Sequence, residues 1–178
     1  DIDLEADGTF REINVANLDI GTRQSRLRVS GLLKDVGDAK KFFFNAEAMG
    51  QASIDYDMLL KQIPILGLPP LPFLGNVTFT SLLVKGKPSD SLHIQLDANT
   101  KSGALNGFAN LTFRNPELGY ESDMQFTNLN PGAIIQDERL NGNVNMHMNI
   151  AGKGTTLPTL DAAIRIEAEP SRLGEYAI

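Results

Sequence analysis

The chain has 178 residues, 42% of them hydrophobic and 21% charged, with a formal net charge of -6 and no cysteine. That acidic balance, with a pI near 4.9, argues against a nucleic-acid partner, which calls for a basic stripe. The lack of cysteine excludes disulfides, thiolate metal sites and a Cys nucleophile, and one domain of this length can bury about 70% of its unfolded surface.

The chain opens on Asp1-Ile2-Asp3-Leu4 and closes on Glu175-Tyr176-Ala177-Ile178, which reads as the start of a strand. Both ends read as cuts within a longer protein, with any membrane anchor expected outside these residues. From Ile13 the pattern is strand after strand, punctuated by Gly, Asn, Pro and Ser. Ile13 and Val15 begin a segment that changes phase at Leu18 and Ile20, as a bulge would make it do. Leu27 and Val29 lead to Gly31; Phe42, Phe44, Ala46 and Ala48 alternate next, then Ala52, Ile54 and Tyr56. A short helix is expected over residues 57–63, capped by Asp57 and stopped by Pro64. The apolar run from Ile63 to Gly75 is too short to span a bilayer and is broken by Pro64, Pro69, Pro70 and Pro72.

Beyond this proline-rich connection at 64–72, Val77 and Phe79 lead to Val84. Leu92, Ile94, Leu96 and Ala98 then alternate against His93, Gln95, Asp97 and Asn99. Leu105, Ala109, Leu111 and Phe113 follow, then Leu118, Tyr120, Met124 and Phe126. Asn130 with Pro131 predicts a second short helix, an Asn cap with Pro at the first helical position. From Leu140 to Ile150 the alternation is unbroken: Leu140, Gly142, Val144, Met146, Met148 and Ile150 against Asn141, Asn143, Asn145, His147 and Asn149. A period of two over such a stretch is a strand with one apolar and one polar face, roughly 35 Å long. Leu160, Ala162, Ile164, Ile166 and Ala168 close the series.

The chain repeats itself weakly. Leu105-Asn106-Gly107 matches Leu140-Asn141-Gly142, with Leu74-Gly75-Asn76-Val77 as a looser copy. An apolar-x-Gly ending recurs at Gly31, Gly86 and Gly152, where glycine is expected to supply turn dihedrals. Such endings suit a meander in which each strand adds to the last. The expected fold is therefore all-β: a long, mostly antiparallel meandering sheet with one or two short helices. Neither helix is long enough to cover a sheet face.

No catalytic constellation stands out, and an enzyme is not expected. His93 and His147 fall on the polar phase and read as solvated surface rather than metal ligands. Ser, His and Asp occur without a Gly-x-Ser-x-Gly elbow. The carboxylate pairs Asp55/Asp57 and Glu167/Glu169 read as strand surface, and Gly152-Lys153-Gly154-Thr155-Thr156 reads as a turn, since no helix follows it. No cofactor or metal is expected. The apolar phase remains: either a sealed core, as in a closed β-sandwich or jelly-roll binding or adhesion module, or a surface open to a ligand.

Several segments together resemble the TamB branch of the AsmA-like family of large bacterial envelope proteins. They are the strand opened by Leu140-Asn141-Gly142, the Ile150-Ala151-Gly152-Lys153-Gly154 ending, the turn over 155–158, the strand from Leu160 to Ala168, and Ser171-Arg172-Leu173-Gly174-Glu175-Tyr176. The two helical inserts have the same style. The resemblance is best from Leu74 onward and implies a β-taco: residues 1–178 as one segment of a longer, periplasm-spanning protein anchored in the inner membrane. It further implies a hydrophobic groove for phospholipid transport between the membranes, assembly and secretion of outer-membrane proteins, and an outer-membrane partner of TamA type. On that reading the lipid-binding groove is lined by Leu92, Ile94, Leu96, Leu111, Phe113, Met124, Phe126, Val144, Met146, Met148, Ile150, Ile164 and Ile166. Met124, Met146 and Met148 suit such a lining because thioethers are flexible. Exposed sheet edges are expected to make the isolated segment oligomerise.

Overall fold

The computed structural model describes residues 1–22, 25–48, 50–55, 75–114, 117–154, 159–174 and 176–177. Among the described residues thirteen strands form one sheet: β1 (Ile2–Thr9), β2 (Glu12–Gly21), β3 (Arg26–Lys34), β4 (Phe43–Ala48), β5 (Ala52–Asp55), β6 (Asn76–Lys87), β7 (Ser91–Thr100), β8 (Gly103–Arg114), β9 (Glu117–Leu129), β10 (Gly142–Lys153), β11 (Asp161–Ala168), β12 (Arg172–Leu173) and β13 (Tyr176–Ala177). Every described pairing is antiparallel. The order is that of a meander: apart from β4 and β5, and β11 and β12, each strand lies beside its sequence neighbour, without the crossing order of a jelly roll.

Two slots are shared. β4 and β5 lie end to end between β3 and β6. β11 and β12 likewise lie end to end along β10, broken at Pro170, with Ser171 Oγ accepting from the Asn145 N–H at 2.9 Å across the break. Among the described strands the sheet is bounded by β1 on one side and, on the other, by β11 together with β13, which lies outside β12.

Register is what makes one face continuous, and bulges maintain it. The phase change between Val15 and Leu18 is a bulge: Val15 pairs with Gly31 and Leu18 with Val29. An extra residue stands between Phe79 and Ser81 on β6, returning Leu82 and Val84 to the side of Val77 and Phe79. On β9 the extra residue lies before Leu129, with Asn128 at φ 53°, and brings Leu129 opposite Val144. A period-two strand that gains one residue flips every later side chain. Here each flip keeps the apolar phase on the same side.

Two expectations are corrected, and one strand is added. Gly31, Gly86 and Gly152 lie inside β3, β6 and β10 rather than at turns. Gly86 and Gly107 have φ of 146° and 143°, and a Cβ at either would run into the carbonyl oxygen of Ser91 or Asp123 on the next strand. Glycine is needed there for close approach of two backbones. Leu140 is not in the long strand: Asp137 caps a 3-10 turn over Glu138–Leu140, and β10 starts at Gly142 and runs on to Lys153. The acidic opening residues form a strand, β1.

The helix expected at Pro131 is present as α1 (Pro131–Ile135), where Asn130 Oδ1 accepts from the Ala133 N–H at 3.4 Å. The same oxygen accepts from the Gly142 N–H at 3.3 Å, tying the helix start to the start of β10. The helix expected over 57–63 and the proline-rich connection lie outside the described residues.

Candidate functional site

Cross-strand partners in an antiparallel sheet point to the same side, so the register defines the apolar face row by row. One row joins Leu92 of β7, Leu111 of β8 and Tyr120 of β9. The next runs Val84, Ile94, Ala109, Ser122, Ile150 and Ile164. A third runs Leu82, Leu96, Gly107, Met124, Met148 and Ile166, and a fourth Phe79, Ala98, Leu105, Phe126, Met146 and Ala168. These rows contain no charged residue. Phe113 and Val144 extend the same phases of β8 and β10, so every residue assigned to the groove from sequence lies on this one face.

The face is wider than sequence alone indicated. Ile13, Leu33 and Phe44 continue the first row toward β1, and Val15, Gly31 and Ala46 the second. Ile13 and Val15 had signalled this, and the phase change after Val15 marks the bulge that keeps Leu18 and Ile20 on their side.

Burial on this face is slight. Among the described residues the only buried apolar ones are Ala52, Val77 and Ala98, with Phe79, Leu96 and Leu105 packed on the last two. Most of the assigned residues are half-buried, while Phe113, Ile164 and Ile166 are exposed, the last two at 62% and 57%. A face of this composition carries an unmet hydrophobic driving force, since removal of apolar area from water gains about 25 cal/mol per Å².

The opposite face is mostly polar, with Leu32, Phe43, Leu83 and Phe108 among its residues, and around β8–β11 several of its polar side chains are bonded to one another. Asp123 on β9 holds His147 Nε2 at 2.6 Å and accepts from Asn149 Nδ2 at 2.9 Å on β10. The carboxylate beside it raises the His147 pKa above 6.5, and the imidazole in turn lowers that of Asp123. His93 Nδ1 lies 2.7 Å from Asn110 Oδ1, and Gln125 Nε2 donates to Glu169 at 3.0 Å. Both histidines thus lie on the polar face as expected, but each has a side-chain partner instead of water alone.

Glu167 of the Glu167/Glu169 pair is bridged to Arg165 at 2.6 Å. Asp57 lies outside the described residues, as do residues 155 and 156 of the 152–156 segment. Among the described residues no cluster of three or more His, Asp or Glu side chains is arranged to hold a metal ion, and no helix is long and apolar enough to cross a membrane.

At the other end of the sheet Asp19 accepts from Arg26 and Arg28 at 2.8 and 2.9 Å, which lowers its pKa to about 2. The two guanidiniums and one carboxylate join β2 to β3.

Compared with protein-family models, with curated proteins and with solved structures, the chain matches none. The fold and the division of its sheet into two faces carry the functional reading.

Proposed function

We propose that this chain is a β-taco segment of a TamB-like envelope protein, whose apolar face forms a hydrophobic groove for the acyl chains of phospholipid moving between the inner and outer membranes. The same surface would serve amphipathic strands during assembly and secretion of outer-membrane proteins, with a TamA-type partner. In this reading the segment works in the periplasm as part of a protein anchored in the inner membrane, and it is not an enzyme.

One observation carries the reading: rows of uncharged, mostly apolar side chains cross the sheet, yet only Ala52, Val77 and Ala98 among the described apolar residues are buried. Each acyl methylene laid on such a face gains roughly 0.8 kcal/mol. Apolar contacts have no direction, so a chain can slide from row to row without breaking a specific bond. Met124, Met146 and Met148 adapt to a moving occupant better than branched side chains do. A charged headgroup has no partner along the rows and would ride at their rim.

The test is photo-crosslinking from adjacent positions of β7. A photoreactive residue at Ile94, in the second row, should capture phospholipid from vesicles. One at Gln95, on the exposed polar side, should not. Capture at neither position by a folded protein would mean that the apolar face is sealed core, as in a closed sandwich module.

A further inference from the structure

The polar face is itself divided. Over β9–β11 its side chains engage one another: Asp123 with His147 and Asn149, Gln125 with Glu169, and Arg165 with Glu167. Around Phe108 of β8 they do not. Among the described residues the exposed side chains of Ser81, Gln95, Asp97 and Asn106 make no hydrogen bond or ion pair.

The register groups these side chains about one aromatic ring in the middle of the sheet. Gln95 lies opposite Phe108, and Asp97 lies opposite Asn106. Cross-strand partners stand about 5 Å apart, and the two pairs about 7 Å apart along the strands. Ser81 faces Asp97 from β6. Between them is a depression of about 480 Å³, lined by Ser81, His93, Gln95, Asp97, Asn106 and Phe108. The Phe108 ring is steadied from one side: His93 stacks on it with centroids 5.9 Å apart, and His93 Nδ1 lies 2.7 Å from Asn110 Oδ1. The aromatic surface is therefore oriented before any ligand arrives.

We propose that this depression binds a neutral pyranose of a glycan chain. The C–H face of such a sugar is apolar and lies flat on an aromatic ring, while its hydroxyls need donors and acceptors around the ring's edge. Gln95 and Asn106 offer both, and Asp97 accepts. A sugar resting on Phe108 brings its hydroxyls over the Asp97–Asn106 pair. An acyl chain in the same place would leave these polar groups without partners. Charge selects among sugars. Among the described residues no cation lines the depression, and Glu121 and Asp123 stand on the far side of Phe108. The inference concerns the polar face alone and does not rest on the lipid reading.

The test is an NMR titration of the isotope-labelled native chain with two neutral oligosaccharides, cellotetraose and chitotetraose. Saturable shifts are expected with at least one of them at the side-chain amides of Gln95 and Asn106 and at the Phe108 ring. Phe108→Ala should weaken binding by about tenfold or more, and Phe108→Tyr, which keeps the ring, by less than about threefold. Asn106→Ala changes an exposed side chain without a partner, so the fold should persist while binding weakens about fivefold. Tetragalacturonate, an acidic sugar of the same length, should bind at least about tenfold more weakly than the neutral one. No saturable shift with either neutral sugar, shifts confined to the apolar face, unchanged binding by a folded Asn106→Ala chain, or tighter binding of tetragalacturonate would each overturn the proposal.

Discussion

The two faces of the sheet are made by the same strands and solve opposite problems. On the polar face of β8–β11 the side chains satisfy one another across strands, with Asp123 joined to His147 and Asn149, and Gln125 to Glu169. On the apolar face only Ala52, Val77 and Ala98 are buried among the described apolar residues. A typical domain stabilises itself through its apolar face and leaves the polar one to water. This sheet makes directional bonds across its polar face, while the described residues of its apolar face are mostly only half-buried, which teaches that alternation alone does not mean a fully buried core.

The sharpest way to break this comparison is at Gly107, which lies on the apolar face with its would-be Cβ against the Asp123 carbonyl oxygen. Gly107→Val should push β9 away and disrupt both faces, at a cost of about 3 kcal/mol or more, read as a large drop in urea midpoint. Next in size is an effect on binding. The native, cooperatively melting chain should bind a dye such as ANS, and Ile150→Asp, which puts a carboxylate in the middle of a row, should remove most of that binding while the fold persists. A sealed core would give the reverse result: no dye bound by the native chain and loss of the fold in the variant.

A third experiment grades the apolar face itself. Val77→Ala, in the buried cluster, should cost about 2 kcal/mol. Met148→Ala, on the half-buried part, should cost less than about 1 kcal/mol, against the 2 kcal/mol or more expected of a sealed methionine. Comparable losses at both sites would merge the two regions into one core.

The smallest effect tests the polar face by pH. Bonding to Asp123 raises the His147 pKa above 6.5, so its contribution is fully present below that value and fades as pH rises through the folded one. Asp123 is depressed below 3.8, so its contribution is present above that value and is lost as pH falls through the folded one. The groups facing His147 are Asp123, Gln125 and Asn149 and, on β11, Arg165, Glu167 and, just beyond it, Glu169. The melting temperature should therefore decline slightly from about pH 6 to pH 8, a window set by the ordinary histidine pKa. His147→Gln should flatten that decline.

Much of this division was legible in the sequence. The alternation from Val144 to Ile150 and from Leu92 to Ala98 assigns each residue to a side, because neighbouring strands without bulges preserve the phase. The meander was legible in the regular spacing of turn residues. Three things were not. The bulge at Phe79–Ser81 inserts one residue, and the sequence around it shows no clean phase change of the kind that marks the one at Val15–Leu18. β1 was obscured because Asp1, Asp3, Glu5 and Asp7 outweigh Ile2, Leu4 and Ala6, although the alternation is present. The glycines at 86 and 107 carry turn chemistry, and only the approach of the adjacent backbone makes them strand residues. Likewise the His147–Asp123 pair joins residues 24 apart in the chain, a proximity that depends on the register of β9 against β10.

The meander order also bears on how such a protein changes size. Each strand touches little beyond its two neighbours, so inserting or deleting a hairpin leaves the remaining pairings as they were. The width of the apolar surface is then set by strand count, about 4.8 Å per strand, and its depth by strand length. Duplication of a single hairpin within a gene would lengthen the molecule in small, equal steps, and the distance it spans could be adjusted without redesigning any part already present.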